Sequence, residues 1–444
     1  MMAEHRALES RFWRLAVPNI LSALLVPIAG LVDMAMLGHL DSISHLAGVA
    51  LASVIFDYLY WGFGFLRMTT TGLTAQAVGR GDEPEVYATA LRAMGLALGI
   101  GCVILLLASP IADLGFTLMV GEPAVEQAGY DYFDARVLAA PATLMNFVFI
   151  GWFLGRERSD IALILSAVGN ISNIILDYLF IYAWGWESWG AGLATALSQY
   201  LLLVAALGFG FKHLPRGGLG EAWAAAKEKA QLKALIVLNG DMLVRTFVLQ
   251  STFAVFTNAG ALMGTVALAG NAVLLKVLSV ASYFIDGYAY ALESLAGIFH
   301  GQKRTEQLRW VLMHTMKASV VTGLGLVALF VVFPDTLFGL LTNHLDVLIF
   351  IKSYANWLFL VVGIGAVAYT LDGYFIGLTN ARAMRQTMIV ATCCGFGPVA
   401  AWAMYVESNH LLWSSLVLWV LFRAVGLGLC VRETLTPEGS ADGV

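Results

Sequence analysis

A small set of polar side chains in the first half of this sequence has the types and spacing for ion chemistry in an otherwise apolar setting. Asp33 sits in WRLAVPNILSALLVPIAGLVDMAMLG, and Asn170, Asn173 and Asp177 sit in GNISNIILDYLF. The i, i+3, i+7 spacing of the latter three puts them on one helix face. Thr195 follows in GAGLATALSQ. Carboxylates, an amide and a hydroxyl are the hard oxygen ligands that hold sodium or relay a proton. Asn or Thr alone in an apolar helix commonly acts only as interhelical hydrogen-bond glue. Two carboxylates at one depth are different, because they repel unless they share a proton or a cation.

The elements that must position these residues are membrane spans. Of 444 residues, 59% are hydrophobic and 12% charged, with a mean hydropathy of +0.78. A soluble protein carries about 25% charged residues, so the composition specifies an all-α integral membrane protein. Apolar windows of the bilayer-spanning length fall near 13–37, 46–74, 86–108, 130–154, 160–183 and 190–211, then near 234–258, 265–299, 308–333, 350–376, 384–406 and 410–431. That makes twelve. Basic residues cluster at the N-terminus (Arg6, Arg11, Arg14) and after even-numbered spans: Arg80 and Arg92; Arg156 and Arg158; Lys212, Arg216, Lys227, Lys229 and Lys233; Lys303, Arg304 and Arg309; Arg382 and Arg385. Odd-numbered spans are followed by almost none, Lys352 at a helix margin excepted. By the positive-inside rule both termini are cytoplasmic, and the protein is expected in the cytoplasmic (inner) membrane. MMAEHRALESRFWRL carries no cleavable leader, so the first span is expected to be retained.

With that orientation, counting about 1.5 Å per residue from the helix ends puts Asp33, Asn173, Asp177 and Thr195 at one depth near the outer surface. They arrive there from the first, fifth and sixth spans. The first span also contains Pro18 and Pro27. Proline inside a helix removes a hydrogen bond and clashes with the preceding turn, so a bend near Pro18 is expected.

The halves repeat at an offset of 222 residues: GRGD at Gly79 against GQKR at Gly301, FLGRER at Gly155 against FIGLTN at Gly377, Tyr132 against Tyr354, and Gly38 against Gly260. Six spans per half means both halves enter the membrane in the same direction, related by a pseudo-twofold axis along the membrane normal. Residues 1–211 form an N-terminal six-helix lobe and residues 234–444 a C-terminal one. A cytoplasmic linker, 212–233, joins them and ends in a short amphipathic helix. Two bundles with a cleft between them are transporter architecture.

The second half carries a different polar set. Asp241 and Arg245, at i, i+4, read as an ion pair. Lys276, Asp286, Glu293 and Asp372 form a candidate C-lobe polar network, lining an inner vestibule or locking the helix ends. Asp57 and Arg67 read as packing or gating residues. The four cysteines lie in apolar spans as reduced packing residues, and the histidines show no metal-ligand spacing. No phosphate-binding loop of the GxxxxGK[ST] type exists, so active transport must draw on an ion gradient. No cofactor is expected beyond a transported H+ or Na+, and no nucleic-acid partner. The partners implied are membrane lipid and small amphipathic substrates, with the protein acting as a monomer.

PNILSALLVPIAGLVDMAMLGHL, FGFLRMTTTGLTAQAVGRGD and FIDGYAYALESLAGIFHG resemble the multidrug and toxic compound extrusion (MATE) family, and its DinF-type branch most. The resemblance covers essentially the whole chain. It implies a cation-coupled antiporter, with H+ favoured over Na+, that exports amphipathic, often cationic compounds by alternating access and is no enzyme. It maps the family's cation or proton site onto Asp33, Asn173, Asp177 and Thr195, with Asn170 and the Ala191 backbone beside it and Pro18 at the bend of the first helix. The glutamate that some members use in the seventh span is not evident here. A lipid-linked precursor flippase of the same superfamily is the rival reading. It calls for extra spans and a strongly basic cavity, whereas only Arg67, Arg136, Arg245, Lys276, Lys352 and Arg423 lie at membrane depth. A membrane-embedded transferase would need paired acids at a membrane face, and a channel a symmetric filter. Neither pattern is present.

Overall fold

A computed structural model describes residues 2–40, 42–118, 122–212, 219–342 and 344–435, and every regular element among them is helical. The first half runs α1 (Met2–Gly38), α2 (Ile43–Gly62), α3 (Phe65–Arg80), α4 (Glu83–Leu106), α5 (Ala108–Leu118), α6 (Pro123–Val137), α7 (Ala140–Gly155), α8 (Ser159–Asp177) and α9 (Glu187–Lys212), then α10 (Leu219–Ala226). The second runs α11 (Lys229–Leu262), α12 (Thr265–Gly301), α13 (Thr305–Val332), α14 (Pro334–Gly339), α15 (Leu345–Tyr354), α16 (Trp357–Gly377), α17 (Ala381–Val390), α18 (Gly397–Tyr405) and α19 (Asn409–Thr434). Two wide π-helical segments, Tyr178–Ala183 and Ala391–Phe396, continue α8 and join α17 to α18.

Among the described residues ten spans are long and apolar enough to cross a membrane, and α6–α7, bent by 54°, makes an eleventh. The twelfth is α11. Its 34 residues exceed the roughly 20 that a bilayer core needs, while Asn239, Asp241, Arg245 and Gln250 lower its hydropathy. The fourth span, expected as one helix, breaks because Pro141 at the start of α7 has no N–H to offer the carbonyl of Val137. The second breaks where Phe63 and Gly64 tighten into i→i−3 bonds to Tyr60 and Trp61, at 3.0 and 3.1 Å. Within α1, by contrast, the helix runs unbroken through Pro18 and Pro27.

The repeat is carried into the backbone. The starts of α2 and α12, α4 and α13, α6 and α15, α8 and α17, and α9 and α19 all differ by 222 residues. So do the left-handed residues that end helices: Gly81 and Lys303 (φ 72° and 57°), Glu157 and Thr379 (58° and 56°), Gly185 and Glu407 (68° and 52°).

The chain groups into two compact units, Leu21–Ile236 and Met1–Ile20 with Val237–Val444. The division falls inside α1, so the first twenty residues belong with the second half. In the Leu21–Ile236 unit α7 packs on α3 and α4, and α6 packs on α2 and α9. Phe149, Phe153, Leu165 and Leu202 fill part of the core. Gly192 lets α9 lie directly on α6, where any Cβ would come within 2.4 Å of the Tyr132 carbonyl oxygen. The linker helix α10 docks on α4. Ala222 is fully buried, and Arg92 donates to the Ala225 carbonyl at 3.1 Å. Arg92, expected in a loop, is thus a buried α4 residue, paired also with Glu85. Arg216 lies outside the described residues.

In the other unit α12 is central, packed by α13 and α16, with α19 against α16. Gly287 on α12 admits the backbone of Ile20, whose nitrogen would stand 2.7 Å from a Cβ there. Phe12 stacks on Tyr288 at 6.2 Å and meets His314 edge-on at 5.0 Å. Asn271, Asn409 and Trp413 close a buried hydrogen-bonded cluster at 2.7, 3.2 and 2.9 Å.

Candidate ion-binding site

In the Leu21–Ile236 unit the C-terminal end of α1 is tied to the π-helical segment after α8 by Tyr182, whose hydroxyl donates to the Met36 carbonyl at 2.8 Å. Asp177 is the last α-helical residue before that segment. π turns are rare and concentrate at functional sites. The side chains of Asp33 on α1 and Asp177 on α8 come within interaction reach of each other. Two carboxyl groups this close avoid facing full charges by sharing a proton or a cation.

Around this pair the polar atoms are incompletely matched. Asp177 is 1% exposed. Asp33 Oδ1, Asp177 Oδ2 and the Asn173 amide nitrogen are buried with no hydrogen-bond partner among the described residues. Asn173 lies one turn before Asp177 on α8. Thr195 lies on α9, which packs along α8. Its hydroxyl donates to the Ala191 carbonyl at 3.0 Å, leaving its oxygen as an acceptor. Asn170 donates to the Ser166 carbonyl at 2.8 Å, and the Ser166 hydroxyl bonds that of Ser22 on α1. The structure therefore brings Asp33 and Asp177 together and ties α1 to α8 through Ser22 and Ser166, with Asn170 bonded back along its own helix. It gives Thr195 no direct bond to the acids. Chemically, the pair can exchange its shared proton, take a second one, or offer its oxygens to a cation.

Pro18 lies between two sets of anchors. Before it, Phe12 and Trp13 pack against Tyr288 and His314. After it, Ser22 is bonded to Ser166.

One neighbour of the pair was visible in the sequence only as a cation at membrane depth. Arg136 of α6 lies within electrostatic reach of Asp33 and of Asp57. Its guanidinium sits 4.5 Å from the Phe56 ring centre, 5.5 Å from that of Tyr132 and 6.0 Å from that of Tyr60. Nη1 donates to the Tyr132 hydroxyl at 2.9 Å, and Nε is buried with no partner among the described residues.

The second-half residues are arranged differently from expectation. Arg245 does not pair with Asp241 one turn away. Arg245 and Arg423 both donate to Asp372 Oδ2, while Asp241 pairs with Arg385. The i, i+4 rule describes pairs along one solvated helix surface. Here both groups find partners on other helices, and Arg245 and Asp372 are each 6% exposed. Arg423 also lies over Trp419 at 4.6 Å and Tyr369 at 5.2 Å. Asp286 is within electrostatic reach of Tyr369, and Glu293 is 1% exposed. Lys276 is exposed on α12, about 15 Å along the helix from Asp286.

Comparison with known proteins adds a family. The MatE family model matches the chain twice, over residues 18–179 and 242–402. The chain is 35% identical over 425 residues to the DNA damage-inducible protein F of Escherichia coli, covering 96% of this chain and 92% of that one. It is 23% identical over 422 residues to a probable multidrug resistance protein NorM of Thermotoga maritima, covering 93% and 89%. A solved outward-facing conformation of a multidrug resistance MATE family transporter of the MOP superfamily superposes with a TM-score of 0.83 at 19% identity, over 96% of each chain.

Proposed function

The chain belongs to the MatE family and is a multi-pass membrane transporter, not an enzyme; from that premise we propose that it exports small amphipathic, often cationic compounds in exchange for protons. The carrying observation is the Asp33–Asp177 contact with its unmatched buried oxygens. The Asn271–Asn409–Trp413 cluster pairs such groups with one another, as packing glue does. Around Asp33 and Asp177 the acceptors are left open, as an exchangeable ion needs.

In this reading a proton enters from the periplasmic side and neutralises the pair, with Asn173 and Thr195 as neighbouring ligands and Asn170 and Ala191 beside them. Loss of charge changes which partners Asp33 prefers, α1 flexes near Pro18, and substrate leaves outward. Coupling follows if the two states differ in proton affinity. Substrate is held by apolar and aromatic surface, which favours breadth over selectivity. The protein acts as a monomer in the inner membrane with both termini cytoplasmic, as the lysine and arginine distribution supports. The multidrug names of the relatives support the substrate class. The flippase alternative loses ground because Asp372 binds Arg245 and Arg423, so neither is free to build a basic cavity.

The test is proton release driven by a lipophilic cationic dye in proteoliposomes, with and without sodium. Wild type should exchange dye for protons, and Asp33→Asn should lose the exchange. Normal exchange in Asp33→Asn would make the pair structural. Exchange strictly dependent on sodium would keep the site and change the ion.

A further inference from the structure

We propose that Arg136 is a built-in cation that takes the place of a transported metal ion at the Asp33–Asp177 pair, and so makes the site selective for protons over sodium. The inference rests on the reading of that pair as the coupling site. It begins from unmatched groups in one unit. Asp33 Oδ1 and Asp177 Oδ2 are acceptors without donors, and Arg136 Nε is a donor without an acceptor. A guanidinium has five N–H donors, and the one acceptor assigned to Arg136 here is the Tyr132 hydroxyl at 2.9 Å. Three ring faces also flank it, which hold a cation without binding it in one orientation.

The charged and titratable groups around it are Asp57 and Tyr60 from α2, Tyr132 from its own helix and Asp33 from α1, with Tyr200 of α9 beyond Tyr60. Asp57 and Asp33 therefore compete for one fixed positive charge. With a proton between the carboxyl groups, Arg136 rests in the aromatic cradle near Asp57. When the proton leaves, the pair becomes a dianion in a low-dielectric setting, and the guanidinium N–H groups can turn to the open oxygen of Asp33. Arginine stays charged throughout. A sodium ion would need those same oxygen lone pairs and would have to displace a cation that cannot leave. A proton neutralises a carboxylate directly and has no such competitor.

The test measures dye-driven proton exchange against pH, with and without sodium, for wild type, Arg136→Gln and Arg136→Lys in proteoliposomes. Wild type and Arg136→Lys should be indifferent to sodium. Arg136→Gln should become sodium-responsive, its dye-driven proton exchange falling about tenfold when sodium is added, because sodium then competes for the carboxylate oxygens. Its proton-coupling midpoint should move to higher pH by about one unit, because a dianion that has lost its countercharge binds protons more tightly. Tyr132→Phe, which loosens the cradle, should move the midpoint the other way. Arg136→Gln with wild-type pH dependence and no sodium response would overturn the proposal. If that variant does not insert, an unmoved midpoint in Tyr132→Phe would do so. Loss of coupling in Asp33→Asn alongside an unaltered Arg136→Gln leaves the coupling site standing and removes only the role of Arg136.

Discussion

Asp33 and Asp372 are both carboxylates in membrane-spanning helices with opposite surroundings. Asp372 receives two guanidinium groups on one oxygen, whereas Asp33 has a buried oxygen with none. Replacing one member of a buried charge network leaves the others uncompensated and costs about 3–5 kcal/mol. Asp372→Asn should therefore lower thermal stability in detergent markedly. Asp33→Asn should stay within about 1 kcal/mol of wild type while losing transport, a contrast that differential scanning fluorimetry on both variants checks. At this scale the sequence was informative about type and depth but not about pairing. The face shared by Asn173 and Asp177 followed from spacing alone. The partner of Arg245 did not, because Asp372 lies 127 residues away and only packing of α11 on the other helices of its unit chooses it over Asp241. Arg136 was missed as a neighbour of Asp33 for the same reason, since a countercharge on another helix leaves no local signal.

Pro18 stands in an unbroken α1 between two sets of anchors. Alanine there restores an N–H able to bond the Arg14 carbonyl and removes the ring clash, which favours a stiff helix by about 3 kcal/mol. Because the anchors on either side of Pro18 are untouched, Pro18→Ala should fold and insert normally but transport on the order of tenfold more slowly, which corresponds to about 1.4 kcal/mol on the limiting barrier. Dye efflux from vesicles matched for protein content measures this, and wild-type turnover would remove flexing at Pro18 from the mechanism. Span positions were legible from hydropathy because every span must be apolar. The break at Pro141 has a sequence signal that hydropathy averaging hides. The π turn after Asp177 has none, since YLFIYA reads as ordinary helix.

The whole molecule is a repeated frame with unrepeated contents. Helix starts and left-handed turns recur at 222 residues. Yet the paired acids Asp33 and Asp177 lie on α1 and α8 in one half, whereas the other carries Asp241 on α11, Asp286 and Glu293 on α12 and Asp372 on α16, and the π segments, Tyr178–Ala183 and Ala391–Phe396, do not share the offset. Turns are fixed by local backbone demands, so the repeat was legible from a few glycines and Gly-rich corners. The orientation makes a prediction at this scale. In a variant lacking the native cysteines, Lys303→Cys should react with a membrane-impermeant maleimide only when the cytoplasmic face is open, and labelling of intact cells would reverse the topology.

The assignment of the first twenty residues to the second compact unit also governs the order in which this protein can be completed. The ribosome makes Phe12, Trp13 and Ile20 first, but Tyr288 and Gly287, against which they pack, emerge more than 260 residues later. Until those later residues are made, the start of α1 lacks the partners it packs against. A shortened N-terminus should accordingly leave the half made next to it intact and weaken the half made last. When residues 237–444 are expressed alone, adding the first span back in trans should protect them from degradation.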